Sequence, residues 1–246
     1  MALKAAPEDQ ALLLELQDLD TRVQRLDNQL RNLPETAQLA ELEREALALR
    51  RTLAEQTGTL EDAQAELGRV ESDVAVVEAR MTRDRERLQG TSSVKDVQAL
   101  EQELAALARR RDELEEIQLV VMERVEEHET SLSATRAALA ELDSRVAATT
   151  AARDEGAASL QRERAATATD RQTIAARVPT ELLALYEKQR ERYGVGASHL
   201  RGGVSSASGV ALNATDLGAV RAAAPDDVLL CPDSNAILVR TAESGI

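Results

Sequence analysis

The sequence has no Phe and no Trp, and Tyr186 and Tyr193 are its only aromatic side chains. Aromatic rings supply much of the buried area of a compact domain. Their absence excludes an ordinary globular core and leaves Leu, Val and Ala to be buried along narrow seams. With one cysteine, Cys231, an intrachain disulfide is impossible and a cytoplasmic location is expected. The uncharged stretches are short and rich in Gly, Ser and Ala, which excludes a membrane span. Residues 1–20 carry Glu8, Asp9, Glu15, Asp18 and Asp20 and no apolar run, so no signal peptide is expected. Basic charge is scarce as well. Thirty Lys and Arg face 44 Asp and Glu, a net of −14, which repels polyanions at long range and disfavours generic nucleic-acid or anionic-membrane binding.

Catalytic signatures are missing too. No Gly-x-x-x-x-Gly-Lys-Ser/Thr loop occurs, and Gly194-Val195-Gly196 has no strand before it. Cys231 has no candidate base beyond two histidines, His128 and His199. The expectation is that the chain is not an enzyme and takes no small-molecule substrate.

What the chain has in abundance is Ala, Glu, Leu, Arg and Gln, the composition of coiled coils and long helices. Leu12, Leu16, Leu19, Val23, Leu26, Leu30 and Leu33 alternate spacings of four and three. A second register runs Leu39, Leu42, Ala46, Leu49, Leu53, Gln56, Leu60, Ala63, Leu67, Val70, Val74, Val77, Met81, Asp84, Leu88, apolar except at Gln56 and Asp84. Sustained 3-4 spacing is what a supercoiled seam requires. The step from Leu33 to Leu39 fits neither spacing, and Pro34 stands in that gap, where proline breaks or kinks a helix.

A looser third run reads Val97, Leu100, Leu104, Leu107, Arg111, Leu114, Gln118, Val121, Val125, His128, Leu132, Thr135, Leu139, Leu142, Val146, Thr149, Arg153, Gly156, Leu160. Between the long runs lies the turn-like Gln89-Gly90-Thr91-Ser92-Ser93, so the two helices are antiparallel neighbours. Folding back around residues 92–93 sets Leu88 against Val97, Met81 against Leu104, Leu39 against Val146 and Leu12 near Ile174. The first helix then ends where the returning helix ends, just before Pro179. His128 reads as a tolerated seam residue, and Arg111, Asp84 and Arg153 as register-setting ones.

The tip, near residues 89–95, carries opposite charge to the rest. Residues 80–95 hold Arg80, Arg83, Arg85, Arg87 and Lys95 against Asp84 and Glu86. Arg83, Arg85, Arg87 and Lys95 are candidate partner-binding residues, with salt bridging to the opposite helix as the plainer use of such charges.

The hairpin is expected over residues 1–178 and a second, small α+β module over residues 179–246. Thr180 is the candidate cap of a helix over 181–193 with Leu182, Tyr186 and Tyr193 on one face, stopped by Gly194. Composition then shifts to Gly, Ser, Val and Asn. Strands are expected at 199–204, 210–212, 228–230 and 236–239, with a helix from Asn213 to Ala224 capped by Asn213 or Thr215.

The segments Ala211-Leu212-Asn213-Ala214-Thr215-Asp216-Leu217, Asp226-Asp227-Val228-Leu229-Leu230-Cys231-Pro232 and Ile237-Leu238-Val239-Arg240-Thr241-Ala242-Glu243-Ser244-Gly245 resemble the bacterial C4-type zinc-ribbon family. That resemblance implies a long helical hairpin followed by two Cys-x-x-Cys knuckles, so it covers nearly the whole chain. It aligns the first knuckle with Ser205 and Ser208 and the second with Cys231 and Ser234, so three of the four former ligand positions are serine. A structural zinc site needs four ligands, normally thiolates or imidazoles, and a serine hydroxyl is not ionised near neutral pH. Zinc is expected to be absent. A metal-free ribbon is expected instead, with Ser205, Ser208, Asp233, Ser234 and Asn235 bonding the two turns.

Family members of this kind are associated with both protein and RNA partners. The reading favoured by composition is a scaffold that presents the ribbon module and the hairpin tip to a protein partner. The alternative is nucleic-acid binding, RNA or DNA, through the module, where Lys188, Arg190, Arg192 and Arg201 are the candidate contacts. Residues 181–246 nevertheless hold six basic and eight acidic side chains, a poor match to a polyanion.

Overall fold

The computed structural model of the chain describes residues 3–245. The chain divides into two compact units, Ala37–Ala151 on the one hand and Met1–Thr36 with Ala152–Ile246 on the other. Three long helices dominate: α1 (Pro7–Arg31), α2 (Pro34–Gly90) and α3 (Val94–Ala175). Pro34 begins α2 at a first-turn position, where its missing N–H costs nothing. Thr91, Ser92 and Ser93 alone separate α2 from α3.

In the Ala37–Ala151 unit every position of the second and third heptad runs is buried or half-buried, while residues between them are mostly exposed. Leu42, Ala46 and Leu142 form a buried cluster with Leu49, Leu139 and Val146 packed against it. Cross-helix bonds confirm the antiparallel register: Gln56 Nε2 donates to Ser131 Oγ at 2.8 Å and Arg124 pairs with Glu66 at 2.8 Å. The charge expected in the seam is there as well, since Asp84 is buried with Arg87 3.3 Å away.

The second unit is built differently. Helix α4 (Thr180–Tyr193), strands β1 (Ala197–Arg201) and β2 (Val204–Ser205), helix α5 (Ala214–Ala222), and strands β3 (Leu229–Leu230) and β4 (Ile237–Val239) follow in order. The sheet runs β2-β1-β4-β3, with β1 and β4 parallel and the other two pairs antiparallel. Gly202 and Gly203 join β1 to β2 with φ of 55° and 78°, the left-handed pair that a two-residue hairpin of this hand needs. One cluster packs Ala197, Ile237 and Val239 with Leu13, Leu16, Leu182 and Tyr186. The other packs Leu200 and Leu238 with Leu212, Val220 and Cys231. Period-two alternation along β4 therefore sends its residues to opposite faces of the sheet.

The strand expected at 199–204 is split by the Gly202-Gly203 turn, the one expected at 210–212 is only an isolated bridge of Ala211 to Val204, and three expectations about the helices change. Thr180 is the first residue of α4 rather than its cap; Pro179 stands at the cap and no side chain bonds the helix start. Tyr193 does not dock with Leu182 and Tyr186. It is the last residue before the left-handed Gly194 and is 42% exposed, with the Arg192 guanidinium 5.3 Å from its ring centroid. Along the first part of α1 the buried residues are Gln10, Leu13, Leu16 and Asp20, whereas Leu12, Leu19 and Val23 are half-buried. The register drifts there because α1 packs on β1 and β4 as well as beside the end of α3. Asn213, by contrast, caps α5 as expected, accepting the Asp216 N–H at 2.9 Å.

Candidate functional site

Two turns with the same construction lie at the edge of the sheet. In the first, Gly209 donates its N–H to the Ser205 carbonyl at 2.9 Å, takes φ of 67°, and is followed by Val210, whose N–H bonds Ser208 Oγ at 3.2 Å. In the second, Asn235 donates to the Cys231 carbonyl at 2.9 Å, takes φ of 57°, and is followed by Ala236, whose N–H bonds Ser234 Oγ at 3.4 Å. Each is a four-residue step closed by a left-handed residue, Gly in one and Asn in the other, the types that tolerate that region.

The side chains of these turns converge in part. Burial pushes the Cys231 thiol up, but the Ser205 and Ser234 hydroxyls and the Ser234 and Asp233 amides facing the sulfur outweigh it, leaving the thiol below its ordinary pKa. Ser205, Cys231 and Ser234 are thus brought together, whereas the Ser208 hydroxyl is spent on the Val210 amide. Ser198, on β1, was not visible as a site residue in the sequence. Its buried hydroxyl bonds Ser205 Oγ at 2.7 Å and accepts the Ala207 N–H at 3.0 Å.

One thiol and three un-ionised hydroxyls, engaged in turn by Ser198, Val210 and Ala236, do not fit a structural zinc ion, which takes ionised sulfur or imidazole donors. Among the described residues no group of three or more His, Cys, Asp or Glu is placed to hold a metal ion. His199 turns its Nε2 to Thr241 Oγ1 at 2.7 Å instead.

Beneath the sheet lies a buried polar cluster. The Tyr186 hydroxyl donates to Asp20 at 2.7 Å, and Arg171 holds both Asp20 oxygens at 2.7 and 3.2 Å. Arg171 and Arg190 also meet Glu187, at 2.5 and 2.9 Å. Gln17 Oε1 accepts the Gly196 N–H at 2.8 Å. Burial first, and then the bond to Asp20, push the Tyr186 phenol far up, so it stays protonated. Gly196 lies so close to the Tyr186 ring that a Cβ there would sit 2.5 Å from it. Arg240 performs a similar service for the chain after α5, donating to the Ala223, Ala224 and Asp227 carbonyls at 3.0, 2.7 and 2.8 Å.

The candidate basic residues divide accordingly. In the module, Arg190 is committed to Asp20 and Glu187, and Arg201 pairs with Glu243 at 2.7 Å, leaving Lys188 and Arg192 exposed. At the hairpin tip, Arg80 bridges to Glu103 and Arg87 to Asp84. Arg83, Arg85 and Lys95 are exposed, with no carboxylate within 4 Å among the described residues.

Comparison with known proteins matches the CT398-like coiled coil hairpin domain to residues 16–194. A protein of Mycobacterium tuberculosis, Rv2229c, is 34% identical over 239 residues, covering 97% of this chain and 98% of that one. A structure from Mycobacterium smegmatis superimposes with a TM-score of 0.84 at 34% identity, over 97% of this chain and all of that one. The structure of CT398 from Chlamydia trachomatis shares the fold at a TM-score of 0.61 and 18% identity, over 94% of this chain and 97% of that one.

Proposed function

We propose, from the premise that this chain belongs to the CT398-like coiled coil hairpin domain family, that it is a non-enzymatic interaction protein whose hairpin tip engages an acidic protein surface. The observation that carries this reading is the trio Arg83, Arg85 and Lys95. These are exposed cations near the tip with no carboxylate partner among the described residues, on a chain of net charge −14. Exposed cations in a field of the opposite sign steer and orient a partner more than they stabilise their own fold. Binding of RNA or DNA through the module has less support, because Arg190 and Arg201 are already neutralised by carboxylates of this chain.

The module fits a ribbon whose metal knuckles have been rebuilt as hydrogen-bonded turns. The repeat of Ser205–Gly209 in Cys231–Asn235 supports that origin. Changing Ser205, Ser208 and Ser234 together to cysteine should then create a tetrahedral thiolate site. Cobalt added to that variant should give intense visible absorption that the parent lacks. No absorption in the variant would refute the ribbon origin.

The tip is tested by affinity capture from native lysate with the intact chain and with Arg83→Glu, Arg85→Glu and Lys95→Glu combined. The expected result is a protein retained by the first and lost from the second, with helicity unchanged. A filter-binding titration with RNA at low and moderate salt should show only weak retention. Tight, steeply salt-dependent retention, or capture indifferent to the tip, would overturn the proposal.

A further inference from the structure

Helix α3 exposes a run of large apolar side chains in the middle of the Ala37–Ala151 unit: Ile117 at 44%, Leu119 at 61%, Val120 at 57% and Met122 at 47%. Exposed apolar residues scattered singly need no explanation, but a concentrated set does. Heptad spacing sorts this set into two stripes. Leu119 and Met122 share theirs with Asp112, Glu115, Glu126 and Glu129, which is uniformly acidic. Ile117 and Val120 share theirs with Arg110, Glu113, Arg124 and Glu127, at spacings of three and four throughout. All six of these residues are exposed, and each stands one position before a seam residue, so the stripe flanks the seam.

We propose that this flank of α3 is a self-recognition surface on which a second copy of the chain docks antiparallel through Arg110, Glu113, Ile117, Val120, Arg124 and Glu127. The stripe is self-complementary when reversed. A two-fold axis midway between Gln118 and Leu119 sets Ile117 against Val120, Glu113 against Arg124, and Arg110 against Glu127 of the other copy. Every contact then occurs twice, as an isologous interface demands. Two apolar pairs lie at the centre and four opposite-charge pairs lie outside them, the arrangement that fixes register between helices. The acidic stripe fails the same operation, because reversing it sets Glu115 against Glu126.

Charge is the obstacle to self-association of so acidic a chain, and this flank removes it locally. The stripe carries two Arg and two Glu, a net of zero, on a chain of −14. Its present partners do not block it. Arg110 meets Glu113 of its own helix at 3.2 Å and Arg124 meets Glu66 of α2 at 2.8 Å, both exposed pairs of little energetic weight. Helix α2 adds a further apolar contact. Val76, 63% exposed, shares a heptad stripe with Glu66 and Arg80, whose bridges to Arg124 and Glu103 place it on the same flank. The proposal concerns neither the tip nor the module and does not rest on the function argued above.

Sedimentation equilibrium of the full chain tests it. The mass should rise with concentration from 26.6 kDa toward twice that value. Ile117→Lys, a change at an exposed position, should abolish the rise without loss of helicity. Arg110→Glu alone and Glu127→Arg alone should each weaken association by about tenfold, because each opposes like charges across the axis. Mixed together, those two variants should pair with one another more tightly than either pairs with itself. Only an antiparallel contact of residue 110 with residue 127 makes that prediction. A chain that stays at 26.6 kDa at every concentration overturns the proposal. So does association that ignores Ile117→Lys but yields to Leu119→Lys, or a mixture no tighter than its components.

Discussion

In the Ala37–Ala151 hairpin a carboxyl group in the interior is an exception. Asp84 is the buried acid of that seam, one of its oxygens has no hydrogen-bond partner, and the neighbours on either side are Met81 and Leu88. In the other unit the carboxyl group is the centre. Asp20 is 3% exposed and receives Tyr186, Arg171 and Arg190 from two other helices. The hairpin spreads its stability over many interchangeable seam layers, so each layer matters modestly and locally. The second unit concentrates stability in a few groups contributed by α1, α3 and α4, none of which is replaceable by its neighbours. The expected consequences are graded damage in one unit and cooperative damage in the other.

The sharpest way to break that comparison is a pair of truncations in the full chain. Asp20→Ala leaves Arg171 with Glu187 alone and the Tyr186 hydroxyl with only the longer 3.4 Å bond to Gln17. Removing one partner of such a buried ion pair costs about 3–5 kcal/mol. Leu42→Ala deletes a fully packed seam residue and should cost about 2–3 kcal/mol. Amide hydrogen exchange separates the two outcomes further. Asp20→Ala should speed exchange throughout β1 and β4, whereas Leu42→Ala should speed it only near Leu42 and Leu142. If Leu42→Ala loosens the whole hairpin, or Asp20→Ala leaves the sheet protected, the two units do not differ in kind.

The comparison also explains what could be read from the residues alone. The hairpin was legible because a repeated local rule generates it: Pro34, the Gly90–Ser93 break and three registers suffice, and the fold-back pairing follows. Asn213 before an apolar-periodic stretch was legible as a cap for the same local reason. The hub at Asp20 was not, since it pairs residues 151 and 166 positions apart and lies just outside the expected Leu12–Leu33 seam. One signal was available. A buried Tyr needs a partner for its hydroxyl, and the fold-back register places α1 beside the end of α3, where Arg171 is. Ser198 and Gly196 gave no such signal. Their roles depend on the approach of Ser205 and of the Tyr186 ring, contacts that no local pattern encodes. The serines of the two turns were legible in type, but the diversion of the Ser208 hydroxyl to Val210 was not.

A smaller and finer test acts on one hydroxyl. Tyr186→Phe keeps the ring that packs on Leu13, Leu182 and Ile237 and removes the 2.7 Å bond to Asp20 with the longer 3.4 Å one to Gln17. Asp20 keeps Arg171 and Arg190, so the cost near neutral pH should be about 1 kcal/mol, the net value of one buried bond. The informative readout is alkaline. Burial, reinforced by the bond to Asp20 and its negative charge, raises the folded phenol well above its ordinary value. The unfolded tyrosine releases its proton near pH 10, so above that pH the unfolded state binds fewer protons than the folded one. Stability carried by this group is therefore fully present below about pH 10 and falls as pH rises beyond it, by about 1.4 kcal/mol per pH unit at the steepest. The phenylalanine variant lacks that decline. The Lys4 ammonium, also raised by its pairing with Asp226, weakens both proteins alike over the same range and cancels in the difference. Chemical denaturation from pH 8 to 11 should thus show the two stabilities converging above pH 10, with the variant overtaking the parent at the alkaline end. Parallel curves would mean that Tyr186 ionises as freely in the folded chain as outside it, and that Asp20 is not the sealed centre the second unit depends on.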